Sequence, residues 1–194
     1  MKHDELLEQL VDQAEVDSNI LGYLVFGSVA TGTQREDSDI DVISVRESGK
    51  PASGITNTNV EDIKVGDMFM TYDILAHSVE HVPYLLHTLV DARLLFDRHG
   101  TVAPLQSQLQ DYYTAHPEVV AEWEAFYRQF RAEKAQYGYE KTTIIEVWNE
   151  LEKRHSGGKT KRRFFNAFYF ARPRFFAVVK WFIFLSAPEP KPQT

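Results

Sequence analysis

FGSVATGTQREDSDIDV, residues 26–42, decides how the rest of the chain is read. The apolar run LGYLVFG at 21–27 ends in glycine and reads as a strand, after which Gly27-Ser28 opens a short helical turn. A polar loop then leads into SDIDVISV at 38–45, which alternates carboxylate with aliphatic residues before turning fully apolar, the pattern of a second strand. Successive side chains of a strand point to opposite faces, so Asp39 and Asp41 are expected on one face, with Ile40 and Val42 buried on the other. Gly27 lets a ligand approach the backbone closely, and free amides at the helical turn, with the Ser28 hydroxyl, suit phosphate oxygens. Two neighbouring carboxylates repel each other, and a divalent cation relieves that repulsion. Hard oxygen ligands beside a polyphosphate favour Mg²⁺. The stretch therefore reads as a phosphate-plus-metal site; the plainer alternative is an ordinary turn followed by two solvated carboxylates.

Outward from this stretch, residues 3–17 place Leu6, Leu7, Leu10, Val11 and Ala14 at helical spacing, one apolar stripe facing a core. Segment 46–57, rich in Gly, Ser and Pro, is expected to be a loop. IKVGDMFMTYDIL at 63–75 reads as a third strand running into a turn, followed by a helix around 78–91 and a short strand at ARLLFD. From about Val102 onward the chain reads as helix. Pro117 suits the first turn of a helix ended by Gly138, and Thr143 with Glu146 is a candidate capping box for a helix ended by Gly157 and Gly158. The expected division is 1–101 for an α/β part, 102–187 for a helical part and 188–194 for a disordered proline-rich tail.

The strand, Gly27-Ser28, helical turn, polar loop and Ser38-Asp39-Ile40-Asp41 resemble the signature of the DNA polymerase β-like nucleotidyltransferase superfamily, in particular its small bacterial branch of antibiotic-type and minimal nucleotidyltransferases. The resemblance covers roughly residues 20–100 and includes ARLLFDRHG at 92–100. It implies an α/β (α+β) nucleotidyltransferase fold, a short mixed sheet flanked by helices, followed here by a C-terminal helical domain. It also implies a reaction: in-line attack of an acceptor hydroxyl on the α-phosphate of a nucleoside triphosphate, ATP first among them, with release of pyrophosphate. Catalysis by two Mg²⁺ ions on three carboxylates follows from the same likeness. Asp39 and Asp41 match two of the acids, and Asp67 in VGDMFM is chosen as the third, with Asp73 as the alternative. Val29 departs from the pattern, since many relatives carry a basic residue after Gly-Ser.

Composition and charge bound the remaining choices. The 194 residues are 43% hydrophobic and contain no cysteine, which excludes disulfides, thiolate metal sites and cysteine nucleophiles. The N-terminus lacks the basic-then-apolar order of a secretory signal, so a cytoplasmic location is expected. A net charge of −7 argues against non-specific nucleic-acid binding, yet residues 153–188 contain no acid and hold nine of the 21 Lys and Arg residues. Lys161, Arg162 and Arg163 in this segment are candidates to bind the β- and γ-phosphates, with Arg35 as another source of charge; the plainer reading is neutralisation of an acidic body. Its aromatic run is interrupted by Arg172, Pro173, Arg174 and Lys180, so no transmembrane segment is expected, although a membrane-surface helix or RNA stacking would also suit it.

Weaker candidates are His77 and His81 as an i, i+4 metal pair, Glu146 or Glu150 as a general base, and Trp123, Phe126 and Tyr127 as a stacking surface. The expected partners are a nucleoside triphosphate and an acceptor hydroxyl, a small molecule ahead of protein or RNA, with a homodimer left open. The competing reading is a nucleotide-binding regulatory or antitoxin-like module with little or no turnover.

Overall fold

A computed structural model describes residues 2–137. In chain order the elements are α1 (Lys2–Val16), β1 (Ile20–Phe26), α2 (Gly27–Thr31), β2 (Ile40–Arg46), β3 (Ser53–Val60), β4 (Ile63–Thr71), α3 (Tyr72–His81), a 3₁₀ turn (Pro83–Leu85), α4 (His87–Val90), β5 (Arg93–Asp97), α5 (Val102–Ala115) and α6 (Pro117–Tyr137). The strands form one sheet in the order β3-β4-β2-β1-β5. Only β2 and β4 run parallel; the other neighbours are antiparallel. This is the mixed sheet flanked by helices that the sequence led us to expect.

Both faces of the central strands are covered, so β1 and β2 read as nearly unbroken apolar runs. On one face Leu6, Leu7 and Ala14 of α1 pack on Tyr23, Val25, Ile40, Val42 and Val65. On the other, Leu24, Phe26, Ile43, Val45, Met68 and Met70 meet α3, α4 and α5. Each fully buried side chain of this size contributes about 1.5–3 kcal/mol of transfer free energy. Val102, Leu105 and Leu109 of α5 belong to this second core, so packing of the α/β part continues past the boundary expected at residue 101. At Gly22 an added Cβ would meet Val102 Cγ2 at 2.7 Å, showing how closely α5 approaches β1.

Three local expectations are corrected. Part of the expected 46–57 loop is β3, which pairs antiparallel with β4 through Ser53↔Met70 to Val60↔Ile63. Ile55, Thr56, Thr58 and Val60 supply the β-branched residues, and Glu61 and Asp62, both at positive φ, close a two-residue hairpin. The helix expected around 78–91 begins at Tyr72 and stops at His81, where Pro83 enforces a 3₁₀ turn before α4. Trp123 and Phe126 are almost fully buried, and Trp123 Nε1 donates to Tyr84 O at 2.8 Å, so these rings pack the core rather than offer a stacking surface. The expected capping box, Glu146, Glu150, Lys161, Arg162, Arg163 and the tail from 188 lie outside the described residues.

Asp97 and Arg98 join two helix ends to the sheet edge. The Asp97 carboxylate accepts from the backbone N–H groups of Thr101, Val102 and Ala103 at 2.8–3.0 Å, satisfying the start of α5. Arg98 donates to the carbonyls of Ile20 at 2.8 Å, Glu15 at 2.8 Å and Asp17 at 3.1 Å, closing the end of α1. Asp97→Ala is expected to cost about 1–2 kcal/mol in urea denaturation, as for the loss of a strong helix cap. The exposed Asp111→Ala serves as the control and should stay within about 0.5 kcal/mol of the parent.

Candidate functional site

The site lies where β1 ends and β2 begins. Gly27 has φ +70°, a left-handed conformation that disfavours any side chain, and an added Cβ would stand 3.4 Å from Asp41 Oδ2. α2 is a single short turn from Gly27, stopped by Gly32 at φ +69°. The loop that follows is held by Ser38, whose Oγ accepts from Arg35 N at 2.8 Å and whose carbonyl lies 2.8 Å from Nε2 of the buried His3 on α1. Ser38 thereby fixes the approach to Asp39.

The structure brings Asp39 and Asp41 together on one side of the sheet, with Ile40 and Val42 buried on the other. Asp41 is 6% exposed, and its Oδ1 has no hydrogen-bond partner. Burial first, and then the Asp39 carboxylate, push the Asp41 carboxyl up to about 7, against an opposing pull from Lys64. Asp39 Oδ2 accepts from Lys64 Nζ at 2.7 Å. An open cleft beside this pair, about 260 Å³, is lined by Glu36, Asp37, Asp39, Asn59, Asp62 and Lys64.

Asp67 is not part of this group. In the parallel ladder Asp41 stands level with Gly66 and Val42 with Asp67, and level residues share a face, so Asp67 points to the α1 side. There its Oδ1 accepts from Ser44 Oγ at 2.7 Å and its Oδ2 from Arg46 at 3.3 Å. Burial raises the Asp67 carboxyl, opposed by those two partners. The alternative, Asp73, is exposed at the start of α3, beyond the opposite end of β4. What β4 does place beside Asp39 is Lys64, a residue the sequence reading passed over. The parallel register is the signal that would have found it.

Among the described residues no three His, Cys, Asp or Glu side chains are grouped to hold a metal ion. A buried carboxylate oxygen without a partner, next to a second carboxylate, suits one Mg²⁺ that takes its other ligands from phosphate and water. A second ion would need a third acid, and β4 offers a lysine there. His77 and His81 on α3 have ring centroids 4.3 Å apart, but among the described residues they do not group with a third His, Asp or Glu to hold a metal ion. Among the described residues no helix is long and apolar enough to cross a membrane.

Metal-free Asp41 has a definite effect on stability. Its folded value of about 7 lies above the ordinary 3.8. Between those values the folded chain holds a proton that the unfolded chain has released, so stability falls as pH rises through the window. The full penalty is present above it. Asp41→Asn should therefore be more stable than the parent at about pH 8 in EDTA, by up to a few kcal/mol, with the difference shrinking towards about pH 4. Urea denaturation across that range measures it; a variant less stable than the parent at the high end would contradict the assignment.

The geometry can be set beside known proteins. Residues 8–100 match the family model described as polymerase beta, nucleotidyltransferase. No curated protein matches the chain. Among solved structures, a nucleotidyltransferase-like protein from Exiguobacterium sibiricum 255-15 is similar at 10% identity and a TM-score of 0.43, over 96% of this chain and 67% of that one. The span that matches the polymerase beta nucleotidyltransferase model, residues 8–100, holds Gly27, Ser28, Asp39 and Asp41.

Proposed function

We propose that this domain binds a nucleoside triphosphate, ATP first among them, with a divalent cation and transfers its nucleoside monophosphate to a hydroxyl acceptor, releasing pyrophosphate. The observation that carries the reading is the buried Asp41 carboxylate, which has an unpartnered oxygen and borders Gly27. Burying a carboxylate at a cost to stability is unfavourable unless a cation compensates it. A Mg²⁺ bound there supplies Lewis-acid stabilisation of phosphate charge. Asp39 and Asp41 hold the cation, Gly27 leaves room for a phosphate against the backbone, and the Ser28 hydroxyl donates to it. Lys161, Arg162 and Arg163 contribute positive charge to the triphosphate in this proposal. Small-molecule hydroxyls are the favoured acceptors.

One observation favours a second reading, a nucleotide-binding regulatory module with little turnover. Asp67 faces away from Asp39 and Asp41, and Lys64 stands beside Asp39. Titration calorimetry with ATP and Mg²⁺, paired with a labelled-nucleotide transfer assay over a panel of hydroxyl acceptors, separates the two. Transfer in the parent that falls about 100-fold or more in Asp39→Asn and Asp41→Asn supports the enzyme. Tight binding without transfer selects the regulatory module, and no nucleotide binding rejects both. Asp67→Asn should lower stability while leaving nucleotide affinity within about threefold of the parent, because its hydrogen-bond partners are Ser44 and Arg46.

Neutralising Lys161, Arg162 and Arg163 together is expected to weaken nucleotide affinity, each lost charge-assisted hydrogen bond contributing on the order of 1.5–3 kcal/mol at most. Parent affinity should also fall as salt rises. Unchanged affinity in the triple variant would remove these residues from the site.

A further inference from the structure

We infer that Lys64 replaces a third carboxylate on β4 and that its ammonium is a built-in second cation, so that the site takes one divalent ion instead of two. The inference rests on the nucleotidyltransferase reading above and concerns how its charge is balanced.

Four observations support this role for Lys64. The register Ile40↔Val65 and Asp41↔Gly66 sets Lys64 level with Asp39 and on the face that carries both carboxylates. Its Nζ lies 2.7 Å from Asp39 Oδ2, and its positive charge also acts on Asp41. Gly66, level with Asp41, brings no side chain, so Lys64 is the charged contribution of β4 to this face. Asp41 Oδ1 has no hydrogen-bond partner, which leaves a carboxylate oxygen for one divalent ion.

The electrostatics favour a single ion. A third acid beside Asp39 would favour a second divalent ion, whereas an ammonium there repels one and cannot ligate it, since Lys carries donors only. Lysine is also a compact, strongly hydrated point charge that can donate to phosphate oxygens. A fixed monovalent cation beside Asp39 thus offsets part of the triphosphate charge without a second metal. It also makes the first ion bind more weakly, because both are positive.

The test counts bound Mn²⁺ from the loss of its free-ion electron paramagnetic resonance signal. The full-length chain is titrated alone and with the α,β-methylene analogue of ATP, corrected for Mn²⁺ held by the analogue in the absence of protein. Nucleotide affinity is measured in parallel by calorimetry. Expected are one Mn²⁺ per chain in the parent complex, two in Lys64→Asp, and one in Lys64→Gln. Affinity for Mn²⁺ alone should rise about tenfold in Lys64→Gln, which keeps the side chain's approximate length and removes its charge. Two ions in the parent complex, or unchanged Mn²⁺ affinity in Lys64→Gln, would overturn the inference while nucleotide binding leaves the proposed nucleotide site intact. A parent that binds neither Mn²⁺ nor nucleotide overturns both. If Lys64→Asp does not fold, judged by its circular dichroism melt, the parent count and the Lys64→Gln affinity still decide.

Discussion

The parallel pairing of β2 with β4 is the constraint on which the site depends. Among the described residues it is the one parallel contact in the sheet, and its register sets Asp41 against Gly66 and Val42 against Asp67. A slip of one residue would turn Lys64 and Gly66 to the α1 side and bring Val65 and Asp67 beside the two carboxylates. It would also move Met68 and Met70 out of the core they share with Ile43 and Val45. Packing of those large side chains against α3 and α5 therefore fixes which charges stand beside Asp39. The chemistry of the site is set by hydrophobic burial some residues away from it.

Charge in this domain is distributed over both faces of the sheet and handled differently on each. On the α1 side Asp67 is half-buried with a hydroxyl and a guanidinium, and Arg46 also lies over the Phe69 ring at 4.1 Å. That carboxylate has partners for both oxygens and fits a structural role. On the other side Asp41 keeps an oxygen with no partner. An arrangement unfavourable to stability but suited to a cation is the kind of local conflict that marks a functional site.

Much of this was legible before any coordinates. Gly27-Ser28 and Asp39-Ile40-Asp41 are local patterns, and local geometry alone places them: period-two alternation sends Ile40 and Val42 inward and the two acids together. The strand at 93–97 and the proline-started helix from Pro117 are local in the same sense. Which face of β4 meets the two acids was not legible, because both faces of that strand carry buried apolar residues. With Met68, Phe69 and Met70 all apolar, alternation along β4 does not reveal which face meets Asp41. That decision is a pairing between residues some 25 positions apart, made by tertiary packing. The hairpin at Glu61-Asp62 escaped for another reason, since its two central residues adopt positive φ without the Gly or Asn that announces such turns.

The Asp97-Arg98 pair also bears on how the chain folds. Arg98 reaches back to carbonyls between Glu15 and Ile20, a span of roughly 80 residues, while Asp97 organises amides only a few positions ahead. β5 joins the sheet at the same place, pairing Gly22 with Asp97. Closing so long a loop is entropically costly until several contacts form at once. Because this corner is shared by α1, β1, β5 and α5, the edge strand and the ends of both helices are coupled: a change that loosens one removes partners from the others.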